Sequence, residues 1–519
     1  MNSGDSSEKD NTIDIDQIEQ CQSFDELKEN DSFCQFMRIF YKKCSGNFPD
    51  DMDNPSDEEL VNYFVSHPTI WNETERFWKK DVNKEGKDFD KFQLTMSISN
   101  HIRGLIAGAL QQGEMQLADG EDRGDIFDFN APKIRANGWQ PKFSNPEEAV
   151  GTSDAEMEFD LSPRIQTARI SREGDEGYTG VPDKLYKATQ RWIDKMHSGW
   201  EVEKEDIIFM RDAMTAIQET IKAFTGPEGR VVMCTPIFGG LLNHAKIALG
   251  REPETIPLIN DGDQLVIDTS ALENTLEKGD VFILCNPHNP TGHVYSKEEL
   301  LEIKRICKKK DVKIIIDEVH DGLVFEGDFV SIGSLYDGEE NPTATLKSTV
   351  KTFNLPDQPC HAMVIPDRKM CESFERNRIQ RKTPTAIPNR AGIAAFTESD
   401  EWLTELLHYL EKNRDYVFGR INSNEMPGLK MTKPEGTYVA WIDARDTGLQ
   451  TAIGTEFADD EPGQKGPADY FARVANVAVS NGSNFDLTEE SNVFFRLNFA
   501  VPRSELKVML DRIENALAA

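Results

Sequence analysis

The distribution of apolar residues divides the chain into two regions of different rhythm. In the first, apolar positions recur at helical spacing: Phe33, Phe36, Met37 and Phe40, then Leu60, Tyr63 and Phe64. The clearest stripe, Ile98, Ile102, Leu105, Ile106 and Leu110, predicts a helix over about 92–112. These stripes read as core or docking faces and display no chemistry. Residues 1–12 read as a disordered tail and 13–117 as a helical N-terminal extension. Residues 118–125, Ala-Asp-Gly-Glu-Asp-Arg-Gly-Asp, read as a linker.

Beyond the linker, strands and helices alternate. An amphipathic helix is expected over 185–196, a strand over 206–209, and a helix over 213–224 stopped by Gly226. A buried strand at 231–234 and a helix ending at 246–250 follow. Further strands fall at 254–258, 281–285 and 312–316, the last two separated by a helix over 296–309 that opens on a capping box, Ser296 with Glu299. Val281-Phe282-Ile283-Leu284-Cys285 shows no polar alternation, so both faces of that strand are covered. Such a series builds an α/β domain around a mainly parallel sheet. Residues 126–400, entered through an N-terminal arm, are assigned to this large domain. A long helix over about 401–421 opens a small α+β C-terminal domain, 401–519, with strands at 438–443 and 493–499 and helices at 468–477 and from Arg503.

Composition excludes several functions. The 519 residues carry 91 acidic against 58 basic side chains, a net charge of −33, at a mean hydropathy of −0.55. That balance argues against nucleic acid and anionic membrane as partners. No stretch approaches the roughly 20 apolar residues of a membrane span. Eight cysteines are scattered without zinc-ligand spacing, so no metal is expected. Their scatter, and a polar N-terminus without an apolar leader, indicate a cytoplasmic protein.

Candidate chemistry clusters at strand ends, where parallel α/β sheets bind ligands. Asn286-Pro287-His288-Asn289-Pro290-Thr291-Gly292 follows the strand at 281–285. Asp317-Glu318-Val319-His320 follows the strand at 312–316. Ser348-Thr349-Val350-Lys351-Thr352-Phe353-Asn354 follows a β-prone run at 343–347. Singly, each has a structural explanation. Asn289 to Gly292 is a good turn, Asp317 can cap a loop, His320 can be a satisfied buried histidine, and Lys351 a solvated charge. Together they place an amide, an acid, an imidazole and an amine on one sheet edge. Pyridoxal 5′-phosphate (PLP) chemistry uses such groups: an amine that forms a Schiff base, a carboxylate for the ring nitrogen and an amide for the phenolate oxygen.

These stretches join Glu156-Met157-Glu158-Phe159, Gly177-Tyr178-Thr179-Gly180, Thr235-Pro236-Ile237-Phe238, Pro434-Glu435-Gly436-Thr437-Tyr438 and Arg496-Leu497-Asn498 in a recognisable order. From about residue 125 onward the chain resembles fold-type I PLP enzymes of the aspartate aminotransferase superfamily. Within class I/II aminotransferases it is most similar to the C–S β-lyase, cystathionine β-lyase-like branch. The resemblance implies an aspartate aminotransferase-like large domain and a small C-terminal domain. It implies that Lys351 anchors the cofactor and takes the Cα proton, that Asp317 pairs with the ring nitrogen, and that Asn289 bonds the ring's 3-hydroxyl oxygen beside His320. Phe238 is expected to stack on the ring, Ser348 to touch the phosphate, and Asp212 and Ala213 to open the helix that cradles it. Tyr178 is expected to reach the neighbouring subunit's site, which implies a homodimer. Arg496, which by itself reads as a surface salt bridge, is expected to hold the substrate α-carboxylate with a bidentate pair.

The chain departs from its relatives in places. Arg211-Asp212-Ala213 stands where they have a Gly-containing turn, with Arg211 available to offset the Asp212 charge. Leu355-Pro356-Asp357-Gln358 follows the lysine motif where an Ala-Gly pair is common, and Val350 precedes the lysine in place of a small polar residue. The expected function is a PLP-dependent β-lyase that converts an L-amino acid to pyruvate, ammonia and a thiol. The alternative is a class I/II aminotransferase. A non-catalytic relative is disfavoured because Lys351, Asp317, Asn289 and Arg496 occur together.

Overall fold

The computed structural model describes residues 149–518 except 152, 171–179, 198, 227, 337–339, 380–381, 424 and 450–465. The tail, helical extension and linker expected before residue 126, and Tyr178, lie outside the described residues. The chain divides into two units. Helix α1 (Pro163–Ile170) belongs to the first, and all elements below belong to the second.

Helix α2 (Asp183–Met196) precedes β1 (Ile207–Met210), α3 (Ala213–Phe224), β2 (Val231–Thr235), α4 (Gly239–Leu249) and β3 (Glu254–Pro257). A two-stranded ribbon, β4 (Ile259–Asn260) with β5 (Leu265–Val266), and α5 (Thr269–Thr275) lead to β6 (Val281–Cys285). Then come α6 (Lys297–Lys310), β7 (Lys313–Asp317), β8 (Thr343–Ser348), β9 (His361–Val364), α7 (Arg368–Asn377), α8 (Ala386–Glu398) and α9 (Asp400–Ile421). The seven-stranded sheet has the order β1-β9-β8-β7-β6-β2-β3. Its pairs are parallel except β8–β9 and β9–β1, so β9 alone runs against the rest. A smaller antiparallel sheet, β10 (Lys430–Met431), β11 (Val439–Asp443), β13 (Phe494–Asn498) and β12 (Ser480–Asn481) in spatial order, packs with α10 (Pro467–Ala475) and α11 (Arg503–Ala518). The expected large parallel-sheet domain and small C-terminal domain are both present.

Local chemistry explains the boundaries. Ser296 and Glu299 form the expected capping box on α6, and Asp311 ends that helix in the left-handed region. Gly250, at φ 69°, ends α4 the same way. Strand alternation then sorts the core. Val231, Met233, Val281, Ile283 and Ile315 face α3 and α4 in one apolar cluster. Val232, Cys234, Phe282, Leu284 and Ile316 face α6 in another. Burial on both faces is why β6 carries no polar residue. Among the described residues no helix is long and apolar enough to cross a membrane.

Candidate active site

The same alternation selects which strand-end side chains meet. Asp317 continues the parity of Ile315, Ser348 that of Leu346, and His361 that of Met363, all on the α3/α4 face. Lys347 therefore points to the opposite face. There its ammonium is fully buried, 2.6 Å from Glu318 and 2.9 Å from Asp321. His197 Nε2 lies 2.8 Å away, and Trp192 Nε1 donates to Asp321 Oδ2. Burial alone favours the neutral amine, but the Asp321 and Glu318 carboxylates raise the Lys347 pKa. Two lysines four positions apart thus have different surroundings, and Lys347 is locked in an ion triad.

Lys351 sits in the turn after β8, and its Nζ donates to Ala155 O at 2.6 Å. Burial pushes its pKa down to about 8 and the Arg496 charge adds to this, against the pull of Asp154, Asp317 and Glu156. Burial pushes the Asp317 carboxyl up to about 6, with the Val319 amide and Lys351 opposing. Val319 N–H reaches Asp317 Oδ1 at 3.3 Å, so the aspartate caps its own loop and still faces the lysine's charge. His320 is buried with Nδ1 unpartnered, so it is not a satisfied core histidine. Burial, then the Lys351 and Arg496 charges, keep it neutral.

Arg496 is 4% exposed, which rules out a surface salt bridge. Its guanidinium donates to Asn289 Oδ1 at 3.1 Å and to Ser153 O at 2.8 Å, lies over the Phe485 ring, and leaves Nε unpartnered. It lines a cavity of about 570 Å³ together with Ser153, Asp154, Phe238, Asn484 and Phe485. Phe238 precedes α4, and its ring occupies the space a side chain on Gly240 would need.

Asp212 caps α3, its Oδ1 accepting from Thr215 N at 2.6 Å. Burial works against the charge, but the Thr215 hydroxyl and amide hold the carboxyl below its usual range. The expected offset by Arg211 is not what the fold provides. Arg211 is exposed, and the side chains whose electrostatics act on Asp212 are those of His361 and His244. Ser348 Oγ accepts from Val350 N at 3.0 Å, so its proton is free to donate elsewhere.

Sequence reasoning gave no role to the residues that hold the arm at 153–159. Asn354, at φ 54°, accepts from Met157 N and donates to Met157 O and Phe159 O. Asn498 donates to Asp154 O and Glu156 O. Tyr438 donates to Ala155 O, the carbonyl that Lys351 also reaches. Two loops also close tightly. Glu435 and Gly436 amides donate to Gly292 O, and a side chain at Gly292 (φ 80°) would overlap Pro434. His293 bridges Glu435 and Glu299 at 2.7 and 3.0 Å.

A mainly parallel sheet with a lysine, an aspartate and an asparagine at its strand ends, beside a buried arginine from a small antiparallel domain, defines the fold-type I class of PLP enzymes. The family model "Aminotransferase class I and II" matches residues 156–513, and the chain belongs to this family. It is 30% identical over 407 residues to cystathionine beta-lyase PatB of Bacillus subtilis, covering 76% of this chain and 100% of PatB. A PLP-bound putative aminotransferase from Clostridium difficile 630 superposes with a TM-score of 0.66 at 29% identity, covering 75% of this chain and 100% of that one. Cystalysin from Treponema denticola, whose structure contains a pyridoxal 5′-phosphate cofactor, superposes with a TM-score of 0.67 at 25% identity, covering 76% and 99%. The chain is a PLP-dependent enzyme of the lyase or aminotransferase type.

The residues fit the cofactor. A buried carboxylate whose charge is disfavoured suits a cationic ring nitrogen, and the unpartnered atoms His320 Nδ1 and Arg496 Nε suit polar ligand groups. At the other end, the α3 N-terminus and the Ser348 hydroxyl suit a phosphate.

Proposed function

We propose that the chain is a C–S β-lyase. An L-amino acid bearing a thiol leaving group at Cβ, with one water, gives the thiol, pyruvate and ammonia. The observation that carries the Cα proton transfer, the step this reading shares with transamination, is a buried lysine amine under the charges of Arg496 and Asp317, its pKa pushed down to about 8. Roughly a tenth of such an amine is unprotonated at pH 7, far more than for an ordinary lysine, and can accept a proton from carbon. Bound PLP supplies the electron sink for charge that develops at Cα. Lys351 Nζ takes the Cα proton. Arg496 holds the substrate carboxylate and exchanges its bond to Asn289 Oδ1 for it. Asn289 and neutral His320 address the ring's phenolic oxygen, and Asp317 the ring nitrogen. Phe238 covers the ring face, and Ser348, Asp212 and Ala213 frame the phosphate.

The lyase outcome is favoured by the similarity to PatB along its full length. Transamination is the second reading, favoured by the similarity to the Clostridium difficile putative aminotransferase. Incubation with cystathionine in the absence of any keto acid separates them. Sustained release of pyruvate and thiol supports the lyase, and product that forms only with an added keto acid overturns it. The proposal includes a homodimer in which Tyr178 serves the neighbouring site. It also includes a cytoplasmic location, with which the unpaired, buried cysteines Cys234, Cys285, Cys307, Cys360 and Cys371 agree.

A further inference from the structure

The phosphate end of the site contains a buried imidazole that the family resemblance leaves without a role. His361 opens β9, and its Cα is in register with Ser348 of β8 on one side and Met210 of β1 on the other. Strand alternation turns its side chain to the face shared by Met210, Leu346 and Met363, against which α3 packs. Directly after Met210 the chain passes through Arg211 into Asp212 and the start of α3. His361 is 5% exposed, and its Nδ1 has no hydrogen-bond partner. The charged groups that act on it are Asp212 and Lys351. The imidazole therefore stands among the Ser348 hydroxyl, the α3 N-terminus and the cofactor lysine.

This corner attracts an anion, with one contradiction. The carbonyl of Asp212 accepts from Ala216 N, and its side chain takes the Thr215 amide. The amides of Ala213 and Met214 then have no acceptor within the helix. They favour negative charge, but the Asp212 carboxylate opposes it. Exposed Arg211 is not a neighbour that acts on Asp212, whereas His361 is. Burial drives the His361 pKa down to about 4, against the pull of Asp212 and with the push of Lys351. A buried imidazole nitrogen without a partner, as His361 Nδ1 is, costs stability unless something supplies one. A phosphate brings acceptor oxygens and charge that favours the protonated ring.

We propose that His361 is a ligand of the cofactor's phosphate, donating an imidazole N–H to a phosphate oxygen beside the Ser348 hydroxyl and the α3 N-terminus, and so offsetting Asp212. The proposal rests on the PLP-binding reading of this site and extends it to a phosphate ligand particular to this chain. Position 361 is paired in register with Ser348 on one side and with Met210, two residues before Asp212, on the other.

The test compares two probes on the full chain stripped of cofactor: pyridoxal 5′-phosphate, and pyridoxal, which lacks the phosphate. Equilibrium affinities are measured for the unaltered protein, His361→Ala and His361→Gln. His361→Ala is expected to weaken pyridoxal phosphate about 10- to 100-fold, the range of a hydrogen bond to a charged group, and to leave pyridoxal within about twofold. His361→Gln, which keeps a donor without the charge, is expected to fall between. An unchanged pyridoxal phosphate affinity, or equal losses for both probes, overturns the proposal. A crystal structure of the unaltered holoenzyme tests it without substitution. An imidazole nitrogen within about 3.2 Å of a phosphate oxygen supports it, and one farther away overturns it. Both readouts are independent of turnover. His361-dependent affinity without pyruvate release sinks the lyase reading alone, and pyruvate release with unchanged His361→Ala affinity sinks this proposal alone.

Discussion

Asn354 and Asn498 grip the same arm of backbone, the first at Met157 and Phe159, the second at Asp154 and Glu156. Both amides are buried, and both come from motifs that end in asparagine. Between the two residues that Asn498 holds lies Ala155, whose carbonyl receives Lys351 and Tyr438. The arm thus forms one wall of the site, and side-chain amides fix its position.

Removing one grip tests this wall. Asn354→Ala abolishes three hydrogen bonds, one from Met157 N–H and two to the Met157 and Phe159 carbonyls. It also forces a β-carbon residue other than Asn to hold φ 54°. A loss of roughly 2–4 kcal/mol is expected in denaturant unfolding of the full chain. Tyr438→Phe removes one bond to Ala155 and is expected to cost about 1 kcal/mol.

The buried ion triad makes a different prediction. Lys347→Met leaves Glu318 and Asp321 buried without their cation and is expected to destabilise the chain by about 3–5 kcal/mol in the same measurement. The triple change to Met, Gln and Asn at 347, 318 and 321 is expected to recover part of that loss, because no uncompensated charge then remains.

His293 gives a pH dependence whose sign is fixed by its partners. Burial opposes its charge, but Glu299 and Glu435 raise its pKa to about 9, above the ordinary 6.5. The folded state then binds a proton that the unfolded state has released. The stabilisation is complete below pH 6.5 and is lost as pH rises through 9. Over that window unfolding free energy is expected to fall by on the order of 3 kcal/mol. Glu435→Gln removes one carboxylate and is expected to flatten the slope, which denaturation series at several pH values will read directly.

Arg496 is expected to act on substrate binding. Arg496→Lys keeps the charge but loses the planar fork. A rise in KM on the order of 100-fold is expected with the cofactor's absorbance retained, and an unchanged KM contradicts the assignment.

Much of the candidate site is readable from sequence because its groups follow strands whose burial marks them. Asp317 and Asn289 follow runs of consecutive apolar residues, and α3 begins and ends at the expected residues. Other features depend on distant partners. Lys347 lies in a β-prone run, and nothing local announces that two carboxylates await it. Asn354 meets Met157 across 197 positions of sequence and needs a left-handed backbone to do so. Strand β9 is four residues long and follows a Pro-rich turn, so His361 carries no periodic signal. Its importance emerges only when register sets it beside Ser348.

The central claim is that Lys351, and not its buried neighbour Lys347, carries the cofactor. Borohydride reduction of the holoenzyme fixes the cofactor to whichever lysine holds it, and peptide mass mapping then locates the adduct. The account predicts a phosphopyridoxyl group on Lys351 and none on Lys347, whose ammonium is held 2.6 Å from Glu318. An adduct on any other lysine, or none at all, contradicts it.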